Sequence, residues 1–274
     1  MSKITITELI KAGLHFGHAA SSWNPKMSQY IHGIKNKVHI FDLKQTAKSV
    51  IAAMHMAKKY ASEGKKAMFV GTKVQAQSSV KAMAIATDSY YVNERWLGGL
   101  LTNHEVILNR LGRLDELEHI LNEETDNYSK KMLSSFRRDH KKLVRDLGGV
   151  RGMDKLPDII FLIDPSHEHI ASNEANICGI PLIALTDSNS DPDKADLVIP
   201  GNDDAIRSID FVLGNIAEAL NEGQAIFKDN LAKAEEAKIQ ESEKAKAAAA
   251  VAEAPAETEA EAAEEEEVQP AAEA

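Results

Sequence analysis

The chain has 274 residues, a formal net charge of −10 and a hydrophobic content of 43%, which is ordinary for a globular protein. About 230 residues precede a low-complexity end, enough for one large or two modest domains. The single cysteine, Cys178, excludes an internal disulfide. No run reaches the roughly 18 apolar residues of a membrane span, and the start lacks the apolar core of a signal peptide. We therefore expect a cytoplasmic protein with no membrane partner.

Basic and acidic residues are distributed unevenly along the chain. Residues 1–150 carry 23 lysines and arginines against 14 aspartates and glutamates, residues 151–230 carry 5 against 15, and residues 231–274 carry 4 against 13. An excess of positive charge indicates a polyanionic partner, and an acidic end cannot be the part that binds it. The whole-chain pI of about 5.5 averages over all three regions and therefore does not reveal the basic first half.

The first hundred residues alternate between helical and strand-like patterns. The predicted helices are Thr5–Ala12, Leu43–Ser62 and Val74–Ala86, and the predicted strands are Val38–Phe41, Ala67–Val70 and Tyr90–Val92. Between the first helix and the first strand, glycine, proline and asparagine interrupt any helical period. Residues 13–40 are therefore predicted to form an irregular basic arm.

From Glu105 to Leu147 the pattern changes. Apolar residues step by threes and fours on both sides of a polar turn at Asn122–Ser129; they are Ile107, Leu111, Leu114, Leu117, Leu121, Met132, Phe136 and Leu143. This spacing is typical of two antiparallel helices packed along one seam, like a short coiled coil. We expect this helical hairpin, residues 105–147, to be inserted in the main domain and to project from it.

Continuous apolar strands return after Gly148-Gly149. Strands are predicted at Asp158–Ile163, Pro181–Leu185 and Leu197–Ile199, and helices at His167–Ile177 and Asp203–Glu222. Wholly apolar strands separated by helices favour an α/β domain with a parallel sheet covered on both faces, here formed by residues 1–104 and 148–230. The Ala/Glu-rich tail, residues 231–274, is predicted to be partly helical to about Ala250 and disordered beyond it.

Three groups of residues invite an enzymatic or metal-binding interpretation. Lys73, in Gly-Thr-Lys after a strand, lies where nucleotide-binding folds hold a phosphate, but the glycines of a phosphate-binding loop are missing. Asp187, Asp203 and Asp204 follow strand ends and are weak candidates for Mg²⁺, although capping of turns and helices is favoured. His15 and His18 have no cysteine or carboxylate spaced with them as zinc requires. No catalytic residue, cofactor or bound metal is predicted.

Two segments combine aromatic and basic residues on flexible backbone, which is what shape-based RNA recognition uses. In the first, Lys26, Lys35 and Lys37 are interleaved with Trp23, Tyr30 and His32. The second, Tyr90–Glu105, contains Arg95, whose planar guanidinium suits phosphate or a guanine edge. Its remaining candidates are structural residues of a hinge below the hairpin: Trp96 as a plug, Gly98 and Gly99 as a tight bend, and Asn103 as a helix cap.

Several motifs occur in the order of a known family. They are GLHFGH at 13–18, WNPKM at 23–27, FVGTK at 69–73, YYVNERWLGG at 90–99, IDP at 163–165, EHIA at 168–171, GIP at 179–181 and IPGNDDAIRSI at 199–209. Through them the chain resembles the bacterial ribosomal protein S2 family over about residues 4–227.

This resemblance implies a flavodoxin-like three-layer α/β/α fold with an inserted helical hairpin, and no enzymatic activity. It implies a constituent of the small ribosomal subunit that binds 16S ribosomal RNA at the junction of head and body. It also implies contacts with other small-subunit proteins, including docking of the large mRNA-binding one in translation initiation, and no homo-oligomer. Besides Lys26, Lys35, Lys37, Lys73 and Arg95, the RNA candidates are the basic residues of the hairpin: Arg110, Arg113, Arg137, Arg138, Lys141, Lys142 and Arg145.

Two other functions remain open from the residues alone. One is an enzyme of the flavodoxin or nucleotide-binding type that uses Lys73 and the aspartates at the strand ends. The other is an adaptor whose acidic tail recruits basic partners. Fold alone does not decide between them, because function lies in sites.

Overall fold

A computed structural model describes residues 4–123 and 128–253, with side chains described as far as residue 233. The chain divides into two units, Met1–Ala225 and Ile226–Ala274. The disorder predicted for the end of the tail falls on residues 254–274, outside the described residues. Among the helices of the described residues, none has both the length and the apolar character of a membrane span.

Five parallel strands form the central sheet of the first unit. They are β4 (Ala67–Val70), β5 (Tyr90–Val92), β6 (Ile159–Ile163), β7 (Leu182–Thr186) and β8 (Leu197–Pro200). Their order is β5-β4-β6-β7-β8, with Met68 opposite both Tyr90 and Ile160. Counted along the chain this is the 2-1-3-4-5 order of doubly wound flavodoxin-like sheets, so the predicted α/β class is confirmed.

Successive side chains of these strands point to opposite faces of the sheet, so the core has two layers. Phe69 and Phe161 point to one face, where their rings stack at 5.2 Å between centroids. Met68 and Ile160 point to the other face. Every residue of β4, β6 and β7 is buried, because helices cover both sides of the sheet.

Four helices border the strands of the parallel sheet along the chain. They are α2 (Leu43–Ser62), α3 (Val74–Ala86), α6 (His169–Cys178) and α7 (Ile206–Glu253). The predicted bounds of α2 and α3 are confirmed, whereas α7 continues past the predicted end at Glu222, because the helix accommodates Gly223 and no proline occurs before Pro255. Asn202 accepts the N–H groups of Asp204 and Ala205 in the turn before α7.

The N-terminal region is more regular than the sequence indicates. After α1 (Ile6–Ala12), strands β1 (Phe16–Ala19), β2 (Ile31–Lys35) and β3 (Val38–Phe41) form an antiparallel sheet in the order β1-β3-β2. The prediction of an irregular arm over 13–40 is therefore wrong where β1 and β2 form, whereas the predicted strand Val38–Phe41 is confirmed. Asn36 and Lys37 have φ of 52° and 64°, the geometry of a two-residue hairpin turn, and a lysine at positive φ gives little sequence signal for it.

Helices α4 (His104–Glu123) and α5 (Lys130–Leu147) lie between β5 and β6 in the chain. Ile107, Leu111, Leu114 and Leu117 of α4 are buried, and His140 of α5 contacts Glu118 of α4 at 3.3 Å. Gly149, just after α5, has no room for a side chain, because a Cβ there would lie 2.1 Å from the carbonyl oxygen of Tyr91. The interpretation of the pair as an inserted, projecting hairpin stays a prediction.

Candidate nucleic-acid interface

A groove of about 460 Å³ lies between α4, α5 and the segment that joins β5 to α4. Five basic side chains line it, against two acidic ones, Asp139 and Asp146; the basic residues are Arg95, Arg110, Arg113, Lys142 and Arg145. Leu97, Leu117 and Leu143 form its apolar floor. We call it the basic groove. Its excess of positive charge suits a phosphate backbone.

Most of this charge is uncompensated. Arg95, Arg110 and Lys142 are exposed and form no ion pair with any residue that the structure describes. Arg113 pairs with Glu116 at 2.8 Å, and Arg145 pairs with Asp146 at 2.8 Å. Exposed pairs of this kind are weak and easily exchanged for a phosphate.

The other basic residues predicted on the hairpin lie elsewhere. Arg137, Arg138 and Lys141 of α5 are exposed, but they do not line the basic groove. Arg138 donates from Nε to the Ser134 carbonyl at 3.4 Å.

The candidate lysines of residues 13–40 differ in their surroundings. Lys35 ends β2, Lys37 lies in the β2–β3 turn, and both are exposed. Lys26, by contrast, contacts the carboxylates of Asp191 at 3.1 Å and Asp193 at 2.5 Å. The charge of Lys26 is thus matched within the chain, whereas no carboxylate of the described residues pairs with the two ammonium groups at the turn.

Lys73 lies in a cluster at the carboxyl ends of the parallel strands. Its Nζ contacts Asp164 at 2.7 Å and both Asp203 and Asp204 at 3.0 Å, and its side chain is only 14% exposed. Burial disfavours the charged lysine, but Asp203 and Asp164 outweigh it and raise the pKa of Lys73. Asp203 is fully buried, so burial and the carboxylates of Asp164 and Asp187 raise its pKa to about 8.

The predicted capping role of Asp203 and Asp204 is wrong, because both carboxylates bind Lys73 instead. His18 joins the cluster from β1, with Nδ1 2.9 Å from Asp187 and Nε2 3.4 Å from Asp204. His18, Asp203 and Asp204 bring ligand-type atoms within 4.8 Å of one another. The Asp187 hydrogen bond raises the pKa of His18 to about 9, so a cation would compete there with a proton and with Lys73.

The crevice that binds phosphates in nucleotide-binding folds is lined differently here. The buried carboxylate of Glu168 accepts hydrogen bonds from the backbone N–H of Thr72, at 3.0 Å, and from the Thr72 hydroxyl. His167 Nδ1 lies 3.1 Å from the same carboxylate. A carboxylate of the chain itself therefore occupies the donors that a bound phosphate would use, which disfavours the nucleotide interpretation.

Glu174 organises the segment that carries Arg95. Its buried carboxylate accepts five hydrogen bonds from this segment, at 2.8–3.3 Å; the donors are Trp96 Nε1, Gly99 N, Leu101 N, Thr102 N and Thr102 Oγ1. Trp96 is 6% exposed and packs in the core. Sequence reasoning missed Glu174, because nothing local in α6 distinguishes it from a solvent-facing glutamate.

The predicted hinge residues lie together in this segment. Gly99 has φ of 87°, a conformation that favours glycine, and its carbonyl accepts the N–H of Asn103 at 2.9 Å. Gly98 has open space around it. The hinge role of Trp96, Gly98, Gly99 and Asn103, and the capping by Asn103, stay predictions.

Acid should loosen this segment. Burial acts to raise the pKa of Glu174, but hydrogen bonds from Gly99, Trp96 and Leu101 outweigh it and hold the pKa below the ordinary 4.5. The stabilisation is therefore complete above pH 4.5 and is lost as the pH falls through the lower folded-state pKa. In a Trp23→Phe background, we expect Trp96 fluorescence to redshift only below pH 4.5. Circular dichroism controls for global unfolding, and a redshift near neutral pH would contradict the role of Glu174.

Comparison with known proteins gives a consistent result. The profile of the family Ribosomal protein S2 matches residues 9–223. A protein of Geotalea uraniireducens is 46% identical over 224 residues, covering 81% of this chain and 88% of the relative. One of Petrotoga mobilis is 47% identical over 225 residues, covering 82% and 78%, and one of Vibrio cholerae is 45% identical over 244 residues, covering 89% and 100%.

All three relatives carry the name small ribosomal subunit protein uS2. The matches cover the parallel sheet, both helices of the basic groove and the segment that carries Arg95. They extend beyond single motifs to four fifths or more of the chain. The chain therefore belongs to the ribosomal protein S2 family.

Proposed function

We propose that this chain is a structural constituent of the small ribosomal subunit that binds 16S ribosomal RNA at the junction of head and body. The family is structural rather than enzymatic, which leaves the α/β fold as a scaffold. The observation that carries the RNA-binding proposal is the basic groove, because Arg95, Arg110 and Lys142 there form no ion pair with any described residue.

A second contact lies in the N-terminal sheet. Lys35, at the end of β2, and Lys37, in the β2–β3 turn, present to RNA two exposed charges that no described carboxylate neutralises. Arg137, Arg138 and Lys141 are exposed outside the lining of the basic groove, and we propose that they attract RNA through their charge rather than anchor it. Lys26 and Lys73 are left out of the proposed surface, since binding there would require breaking their ion pairs with aspartates. The two contact regions together place the basic half of the chain against RNA.

The acidic half of the chain suits a different partner. Residues 151–230 carry 15 acidic residues against 5 basic ones, so they would repel a phosphate backbone. We propose that this part faces other small-subunit proteins and helps to dock the large mRNA-binding one during translation initiation. This assignment rests on the charge and on the family, and it places the protein in the ribosome.

Salt dependence of RNA binding tests the proposal. The purified chain is titrated with a 16S ribosomal RNA fragment and with unrelated RNA of equal length, between about 50 and 200 mM salt. We expect tighter binding to the ribosomal fragment, and an affinity that falls linearly on a log–log scale by about 0.7–0.9 per phosphate neutralised. An affinity independent of salt, or equal for both RNAs, would contradict it.

Truncation after Asn230 provides the control against the adaptor hypothesis. It removes residues 231–274, with 13 acidic residues against 4 basic ones. We expect RNA affinity to stay the same or to rise slightly through reduced repulsion. A loss of RNA binding in this variant would favour a function centred on the tail.

A further inference from the structure

The segment between β5 and α4, residues 93–103, contains turns but no strand or regular helix. Its backbone N–H groups therefore lack the partners that regular secondary structure provides. Three of them, from Gly99, Leu101 and Thr102, instead donate to the Glu174 carboxylate at 2.8, 3.0 and 3.2 Å. A single side chain on another element thus fixes the course of this segment.

Glu174 is held on a rigid support. Helix α6 packs on the sheet through Ala171 and Ala175, its buried Ser172 donates to the Lys194 carbonyl at 3.1 Å, and Glu174 itself is 6% exposed. A buried carboxylate contributes little to stability in comparison with an apolar residue, because desolvation offsets its hydrogen bonds. What five directed donors add is geometric specificity, since only one backbone course satisfies all of them.

Arg95 lies directly beside this anchored segment. Trp96 is buried and donates to Glu174 at 3.1 Å, so its neighbours on either side, Arg95 and Leu97, are directed into the basic groove. Arg95 is exposed, and no side chain among the described residues pairs with it. The position of its guanidinium therefore depends on the backbone below it, which Glu174 holds.

We propose that Glu174 is a positioning residue, which holds residues 96–102 so that Arg95 meets the same RNA strand as Arg110 and Arg113. The inference rests on the proposed RNA-binding function and deepens it. Without the carboxylate, residues 96–102 adopt several backbone conformations. Arg95 then loses the pre-organisation that limits the entropy cost of binding RNA. Glu174 then contributes to affinity without touching RNA.

A double-mutant cycle between Glu174→Gln and Arg95→Ala tests the proposal. The amide replaces one acceptor oxygen by an NH₂ group that faces N–H donors, so the segment cannot keep all five hydrogen bonds. We expect each single variant to weaken binding of the 16S fragment about tenfold and to lower the salt slope by about 1. The double variant should bind no more weakly than Arg95→Ala alone.

Two further variants separate positioning from general stability. Trp96→Phe keeps a packed aromatic ring but removes one hydrogen-bond donor to Glu174. It should give an intermediate loss of RNA affinity, and in an Arg95→Ala background it should give no further loss. Thr46→Val removes a buried hydrogen bond to the Pro200 carbonyl, beside β8 at the other edge of the sheet. It should lower the melting temperature but leave RNA affinity and the salt slope unchanged.

Amide hydrogen exchange distinguishes a failure of the positioning role of Glu174 from a failure of the proposed RNA-binding function. In Glu174→Gln, exchange at Gly99, Leu101 and Thr102 should accelerate at least tenfold. Wild-type affinity in this variant, unaltered exchange, or a loss that adds to that of Arg95→Ala would each overturn the positioning role. If wild type itself shows no salt-dependent RNA binding, the proposed function fails, and the positioning role fails with it even where exchange accelerates.

Discussion

The triple variant Arg95→Ala, Arg110→Ala, Arg113→Ala should bind the 16S fragment about 10³-fold more weakly than wild type, at about tenfold for each charged group removed. The reason is that these guanidinium groups line one groove, and among the described residues only Arg113 has an ion-pair partner, the exposed Glu116. The salt slope should fall by about 3, one for each phosphate that the variant no longer neutralises. Fluorescence anisotropy across a salt series measures both quantities.

The matched control is Arg137→Ala, Arg138→Ala, Lys141→Ala, which removes the same charge from α5 outside the groove. We expect a loss of several-fold at low salt, from the weaker long-range field, that mostly disappears near 150 mM. Both triple variants should keep the wild-type melting temperature, because all six side chains are exposed or lie in an open groove. Equal losses from the two sets at high salt would contradict the basic groove as the main anchor.

Lys73→Met should lower the free energy of unfolding by about 3–5 kcal/mol, the usual result of removing one partner from a buried ion pair. The methionine leaves Asp164 and the fully buried Asp203 without their common cation. RNA affinity per folded molecule should be unchanged, since Lys73 is enclosed by its own chain. Urea unfolding followed by circular dichroism measures the stability.

Lys26→Met is the corresponding variant at the surface. Lys26 also bridges two aspartates, Asp191 and Asp193, but its side chain is 51% exposed. Its replacement should leave the unfolding midpoint unchanged, because solvent screens such pairs. If the two methionine variants lost the same stability, the Lys73 cluster would be a surface feature and our interpretation of it would be wrong.

Some helices and strands can be predicted from the local sequence pattern alone. The apolar strands β4, β6 and β7 are recognisable because burial on both faces removes polar residues altogether. Helices α2 and α3 begin and end where predicted, since Gly64 and the strand that follows α3 limit them. Strand β3 is also predicted correctly, but β1 and β2 escape prediction, because they have four or five residues and no buried side chain.

By itself, the sequence determined the α/β class, the positions of most helices and strands, the separation of basic from acidic halves and the resemblance to a ribosomal family. Only the tertiary structure decided which charges are neutralised within the chain. Lys26 and Lys73 look like RNA contacts in the sequence, but aspartates 165 and 130 residues away neutralise them. Glu174, 75 residues from Gly99, looks like a surface residue but orders the segment beside Arg95. Local patterns record burial and periodicity, whereas the pairing of charges depends on contacts that exist only after the chain has folded.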